Sequence, residues 1–578
     1  MSEYTKSLLQ RNFLFLFALL LIFLSGEVFI SCKSKKKPEE KVIVKEPQQM
    51  NEMVKGLIKN YLDYAESTNG NLNDSTKLYQ VPALVNLYAQ KGNTPLWSSA
   101  QTWQAKGDSL FFFIKNVRRY GLFPSDYHFY RLESIRHLFN VDTWKEKETR
   151  NASEWALADL LMSDAIISVF YDIKMGRLPA DSITLRKDST MNPDLVTAKF
   201  YDVISGTAPD TVVASLEPVH TGYRDLKKAI GNFLANADFS PIDTITFPNK
   251  DRNQLNSEVK RRLFEIGYLD TITVNADSVQ LSKVLKKFQE EKKLTVDGKV
   301  GRQTIGMLNL SDEEKFKRIA ITMDRYKMLP EKMPEKYIWV NIPSYSLRLV
   351  NDDTVLISSK VVVGKPMTRT PVLTSAISDM ITYPQWTIPA SIIEKEILPG
   401  LKRDTAYLRK KGYSLLDKKN EEVNPDSIDW SQYKKLIPYK VIQGSGDDNA
   451  LGVLKFNFPN KYSVYLHDTN QRSFFAQDIR ALSHGCVRVQ EWQKMATFIM
   501  NNENDSAVVK KNPKQIPLDS LNRWLAVKEK HSIPLKSRIP VYIRYFTCEA
   551  VNGKIAFYED IYEEDKQLSN LLFANKKM

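Results

Sequence analysis

The residues of this 578-residue chain best suited to covalent chemistry are Tyr465, His467 and the run Ser483-His484-Gly485-Cys486-Val487-Arg488-Val489. Along an extended chain, side chains alternate faces. Ser463, Tyr465 and His467 then share one face, with Val464 and Leu466 turned to a core. If 484–489 is also extended, His484, Cys486 and Arg488 share a face above buried Val487 and Val489. Two neighbouring strands would bring His467 to Cys486. A free thiol, with a reference pKa of about 8.5, is mostly protonated near neutral pH. An imidazole beside it takes that proton and later returns it to a leaving amine. Gly485 lets the backbone approach closely, and the Cys486 N–H with a neighbouring donor could face an oxyanion. Arg488 supplies a cation for a substrate carboxylate. A zinc set of His467, His484 and Cys486 competes, but the spacing is tight and no further Cys or His cluster completes it. A buried, inert Cys486 also competes, although Ser-His-Gly-Cys is a poor core sequence. Cys548, beside the apolar run Tyr542–Thr547, reads as structural, and His128, His137 and His220 as isolated, ordinary histidines.

The elements that must position these residues follow from periodicity. After Pro334, the segments Tyr337–Ile342, Leu347–Val350 and Ser358–Val363 are strand-like and rich in β-branched residues, with further strands at 461–467 and 539–546. Residues 401–437 interrupt this β region with a charged stretch, as a lid or binding loop would. Residues 51–240 are mostly helical in pattern. Residues 252–310 read as helix, helix, Asp-Gly turn and short helix. Residues 311–334 read as a connecting helix. At the N-terminus, the apolar run 13–24 follows Lys6 and Arg11 and precedes Phe29-Ile30-Ser31-Cys32, which describes an export signal. The run is shorter than the roughly 20 residues of a membrane span. The net charge is +14, favouring polyanionic partners, and three cysteines exclude a disulfide scaffold. Export argues against nucleic acid.

Two resemblances refine this reading. The pattern Leu263, Gly267-Tyr268-Leu269, Phe288-Gln289, Asp297-Gly298, Gly301 and Thr304 resembles the peptidoglycan-binding domain of bacterial wall hydrolases. Ser483–Val489, with a histidine nineteen positions before the cysteine, resembles the L,D-transpeptidase signature. Val363-Gly364-Lys365-Pro366 with Thr370-Pro371, Pro384–Pro389, Asn449–Gly452 with Lys455-Phe456, and Phe458-Pro459-Asn460 resemble the large periplasmic branch of that family. The end of the N-terminal segment resembles a loose lipobox with Cys32 as the lipidated residue, an uncleaved anchor being the alternative.

The resemblance implies a multidomain α+β protein. Its expected parts are a signal or anchor (1–32), a linker (33–50), a helical scaffold (51–250), a three-helix peptidoglycan-binding domain (251–310) and a connecting helix (311–334). A mixed-sheet sandwich catalytic domain (335–550) with a capping insertion (401–437) and a C-terminal tail (551–578) complete the set. It implies Cys486 as nucleophile and His467 as base, oriented by a main-chain carbonyl or by Asp468. Gly485, with Cys486, would contribute to the oxyanion site. His484, Tyr465 and Arg488 would line the pocket and position substrate, and Trp386 with the insertion would shape the cleft. The implied reaction is 3→3 cross-linking of peptidoglycan stem peptides through a thioester, with no metal or organic cofactor. Water, a protein lysine or a free D-amino acid as acceptor, and a non-catalytic wall-binding scaffold, stand as alternatives. The expected place is the periplasmic side of an envelope membrane.

Overall fold

A computed structural model describes residues 37–576, except 74, 100–101, 140–149, 182, 187–189, 271–277, 293, 505–515 and 575. The N-terminal segment 1–32, including Cys32, and residues 33–36 lie outside the described residues. Among those described, no helix is long and apolar enough to cross a membrane. The chain forms two compact units, 1–108 with 131–165, and 109–130 with 166–578.

The first unit is helical. Helix Met50–Ser67 buries Val54, Leu57, Ile58, Tyr61 and Leu62, the i, i+3, i+4 stripe of an amphipathic helix. On helix Ala152–Met175, which spans both units in sequence, buried Asp159 of the first unit accepts N–H groups from Leu96 at 3.0 Å and Trp97 at 2.9 Å and the Tyr88 hydroxyl. Burial pushes that carboxyl up to about 6, against these bonds. The donors answer the cost of an interior carboxylate, and the group is structural.

The second unit holds a three-helix module and the β domain. Helices Arg252–Glu265, Ser278–Glu291 and Arg302–Leu308 pack around Leu255, Val259, Leu263, Leu285, Phe288 and Ile305. Gln289 ties the Asp-Gly turn to them, accepting the Gly298 N–H at 2.8 Å and donating to Thr304 at 3.1 Å. Asp251 caps the first helix by accepting the Asn253 and Gln254 N–H groups.

Nine strands form one mixed sheet. They are β1 Lys336–Asn341, β2 Ser346–Asn351, β3 Thr354–Gly364, β4 Leu373–Thr382, β5 Leu454–Asn457, β6 Leu466–His467, β7 Ala481–Ser483, β8 Val487–Val489 and β9 Ser532–Arg544. Their order is β7-β3-β8-β6-β5-β4-β9-β1-β2, and β2 also pairs with β3, so the sheet folds over on itself. Pairs β6–β8, β7–β3 and β9–β1 are parallel and the others antiparallel. Alternation lets β1 and β9 serve two cores. Ile338, Val340, Val541 and Ile543 fill the space inside the sheet. Trp339 and Tyr542 point the other way, into a cluster with Phe316, Ile319, Met323 and Tyr326 of helix Asp312–Lys327.

Three expectations are corrected. The insertion is larger than 401–437. Ile388, Ile392, Ile393, Ile397 and Leu398 join Leu408, Leu415, Trp430 and Val441 in a core of their own. A three-stranded sheet of Trp386–Thr387, Tyr413–Leu416 and Lys440–Gln443 closes it. The charge-rich run marks only its surface. The segment expected as a C-terminal tail (551–578) is folded over its described residues 551–574. Cys548–Val551 and Lys554–Phe557 form a hairpin, and helix Glu564–Phe573 buries Phe573 with its ring 4.7 Å from that of Phe123. The strand at 461–467 shrinks to β6, because Ser463 has a φ of +56° and Asn460 accepts the Tyr462 and Val464 N–H groups in a turn.

Candidate active site

Register places the reactive residues. In the parallel pair β6–β8, Leu466 faces Val487 and His467 faces Arg488, and the Val487 N–H donates to the Tyr465 carbonyl at 3.1 Å. Leu466 and Val487 are fully buried below. Tyr465, His467, Cys486 and Arg488 therefore rise on the opposite face, at the level where both strands begin. His467 is buried and Cys486 half-buried. Alternation does not extend to Ser463 or His484. Ser463 turns away at its positive φ, and Gly485, at φ +119°, breaks the strand between His484 and Cys486. That backbone conformation is one that a side chain disfavours, which is a reason for glycine there.

The turn before the thiol is held from below. The Ser483 hydroxyl donates to the Cys486 carbonyl at 2.6 Å and accepts the Gly485 N–H at 3.1 Å. Thr370 donates from its hydroxyl to the Gly485 carbonyl at 2.8 Å. Thr370 is itself fixed by Tyr562, which accepts the Thr370 N–H at 3.0 Å and donates to the Gly364 carbonyl at 2.7 Å. The Gly485 N–H expected to face an oxyanion is thus engaged by Ser483, so the Cys486 N–H is the candidate donor on this turn. His484 is turned to the insertion, where its Nε2 meets Glu396. Among the described residues, no group of three His, Cys, Asp or Glu side chains converges as a metal set.

Electrostatics set the resting protonation. Burial, then the Arg488 cation, press the His467 imidazole down to about 3, against the backbone of Asp468 and Leu451. It is neutral at physiological pH. Its Nδ1 has no hydrogen-bond partner within bonding geometry among the described residues, although main-chain groups of Asp468 and Leu451 lie near the ring. The Asp468 side chain does not orient it. That carboxylate accepts the Val453 N–H at 3.0 Å and Arg472 at 3.2 Å. It lies so close to Gly452 that a Cβ there would come within 2.3 Å of Oδ2. Burial pushes the Cys486 thiol up, while hydrogen bonds from Tyr465 and the charges of Lys455 and Arg488 pull it down. The thiol lies 4.0 Å from the Ser463 carbonyl. Trp386, on the insertion's first strand, lies near Tyr465, and its buried Nε1 has no hydrogen-bond partner among the described residues. The arrangement offers a neutral thiol, a neutral base, a candidate N–H donor and two cations on one face.

Residues 335–509 match the family described as the L,D-transpeptidase catalytic domain. This chain carries an L,D-transpeptidase catalytic domain. Residues 82–230 match a scaffold domain, and residues 252–308 a family described as "Putative peptidoglycan binding domain". A Haemophilus influenzae protein named "Putative L,D-transpeptidase" is 36% identical over 273 residues, which are 46% of this chain and 53% of that protein. The chain thus spans about half the length of that relative. Two solved structures also show similarity. An L,D-transpeptidase from Mycobacterium smegmatis is 13% identical, with 36% of this chain and 58% of that one covered, at a TM-score of 0.17. An Ldtfm-avibactam carbamoyl enzyme is 12% identical, with 47% and 82% covered, at a TM-score of 0.16. Scores this low carry no argument about the fold.

Sequence reasoning passed over Ser483, Thr370, Tyr562, Glu396 and Lys455. Only Thr370, Ser483 and Lys455 lay within quoted motifs, and their partners are distant in sequence. Tyr562 lies beyond the family match.

Proposed function

We propose that this protein is an exported peptidoglycan L,D-transpeptidase that forms 3→3 cross-links through a Cys486 thioester. The observation that carries the reading is the half-buried thiol on one sheet face with a neutral imidazole. Cys486 Sγ attacks the carbonyl of the third stem residue, and His467 takes the thiol proton. The Cys486 N–H faces the oxyanion of the tetrahedral intermediate. Collapse breaks the amide, and the terminal D-residue leaves as the amine, with the proton from His467. The amine of a second stem then attacks the thioester, gives its proton to His467, and restores the thiol as the new amide forms. Arg488 positions the donor through a carboxylate, while Trp386 and the insertion shape the cleft. The three-helix module holds the protein on the wall. The export signal, with lipidation at Cys32, places it on the periplasmic side of an envelope membrane.

The test is incubation of the protein and its Cys486→Ala variant with disaccharide-tetrapeptide, with products read by mass spectrometry. Dimers lacking one D-Ala, formed only with Cys486, are expected. Tripeptide alone would replace the transpeptidase by a carboxypeptidase with water as acceptor. Absence of turnover on monomeric and polymeric wall, with wall binding intact, would leave a scaffold.

A further inference from the structure

Register places one more charged side chain beside the thiol. Lys455 of β5 stands directly opposite His467 of β6, with Phe456 opposite buried Leu466, so the lysine rises on the reactive face. Its Nζ lies 3.9 Å from the centroid of the Tyr465 ring, and Tyr465 touches the thiol. Lys455 is half-buried. Burial pulls its pKa down, and the charges of Cys486 and Asp379 act against that. The Asp379 carboxylate is committed elsewhere, to Ser378 at 2.7 Å and Asn457 at 2.6 Å. Among the described residues, Lys455 forms no ion pair.

Arg488 mirrors this on β8, on the other side of β6. Its guanidinium donates to Gln471 at 2.8 Å and lies 5.4 Å from the Phe474 ring, and its Nε is buried without an acceptor. No acidic side chain pairs with it among the described residues. Two cations are therefore drawn partly out of water without counter-ions, which costs free energy unless an anion arrives to pair with them. The thiolate accounts for one negative charge and exists only transiently. The cations stand on either side of His467, Lys455 on β5 and Arg488 on β8 two residues beyond Cys486.

We propose that Lys455 and Arg488 form a two-cation clamp for the donor, in which Lys455 holds a second substrate carboxylate beside the carbonyl that Cys486 attacks. The proposal rests on the transpeptidase reading and deepens it. Its ligand class is a peptide with two carboxylates flanking one amide. The carboxylate on Lys455 has two sources, the terminus of the departing residue or the side chain of the residue being acylated. In either case the enzyme discriminates against donors in which that group is amidated.

The test uses the full chain carrying Cys486→Ala, which binds donor without consuming it. Calorimetry measures its affinity for three probes: disaccharide-tetrapeptide with both carboxylates free, with the terminal carboxylate amidated, and with the side-chain carboxylate amidated. Adding Lys455→Met is expected to weaken the free form by roughly 10–100-fold, the scale of a charge-assisted bond. One amidated probe is expected to bind equally with and without Lys455, and its identity names the source. Lys455→Arg is expected to keep most of the affinity, and thermal melts check that both variants fold. Equal weakening of all three probes would reduce Lys455 to a packing partner of Tyr465 and overturn the proposal. So would no weakening, or no binding of any probe. Turnover of unmodified tetrapeptide by the Cys486 protein is scored separately, so the reaction class and the role of Lys455 fail independently.

Discussion

Two thiols of one compact unit stand in opposite settings. Cys548 is fully buried at the start of a hairpin, 3.3 Å from the Thr322 hydroxyl and 3.6 Å from the Arg318 carbonyl. Burial pushes its thiol up to about 12. Its neighbours are Tyr326, Phe546 and Ile319 in an apolar cluster. Burial raises Cys486 as well, but Tyr465, Lys455 and Arg488 answer it, and the residue is only half-buried. Desolvation acts on both thiols, so it does not separate a structural cysteine from a reactive one. Access and nearby donors and cations separate them.

The largest expected difference is in turnover. Cys486→Ala should abolish dimer formation, a loss of at least about 10⁴-fold, since no other group supplies the acyl bond. Cys548→Ala should leave turnover within about 2-fold and lower stability by roughly 1 kcal/mol, the cost of a small cavity. Equal losses from both, by mass spectrometry of products, would end the distinction. Next is His467→Gln, with an expected loss of about 10²–10⁴-fold in turnover, the usual contribution of a positioned base.

Alkylation sharpens the comparison without substrate. Iodoacetamide should modify Cys486 in the folded protein and Cys548 only after unfolding, read by peptide mass. The pH profile carries a sign. Because the Cys486 pKa is raised overall, half-maximal alkylation should fall above the free-thiol range. Arg488→Met removes a stabilising cation and should move the midpoint higher still. Since His467 is held down to about 3, lowering the pH from 7 to 5 should not protonate it, and turnover should show no inflection near the ordinary histidine value of about 6.5. A modest effect is expected for Tyr562→Phe. It leaves the buried Thr370 N–H and Gly364 carbonyl without their partner, costing about 1–3 kcal/mol in stability and a few-fold in turnover.

What was legible in the sequence divides along the same physics. Alternation correctly paired Tyr465 with His467 and Cys486 with Arg488, because those short stretches remain extended. It failed at Ser463 and Gly485, where positive φ resets the direction of the side chains. The three-helix module could be read from apolar spacing and one Asp-Gly turn, since its contacts are local. The insertion was cut short at its charged surface because composition does not reveal that Ile388–Leu398 bury against Trp430. Lys455 was visible only as part of a motif, because its place opposite His467 depends on a register set by the whole sheet. Asp468 looked like a natural partner for its histidine neighbour. Only the approach of Val453 and Arg472 shows its carboxylate committed elsewhere.

The Thr370–Tyr562 contact joins residues 192 positions apart, and Thr370 in turn grips the peptide ahead of the nucleophile. A ribosome therefore delivers the thiol well before it delivers the residue that braces its turn. A partly made chain carries Cys486 on a turn that Ser483 and Thr370 can already hold, while the Tyr562 hydroxyl that anchors Thr370 is still to come. Messages cut short before Tyr562 would yield a protein with every candidate reactive side chain and a less firmly braced turn.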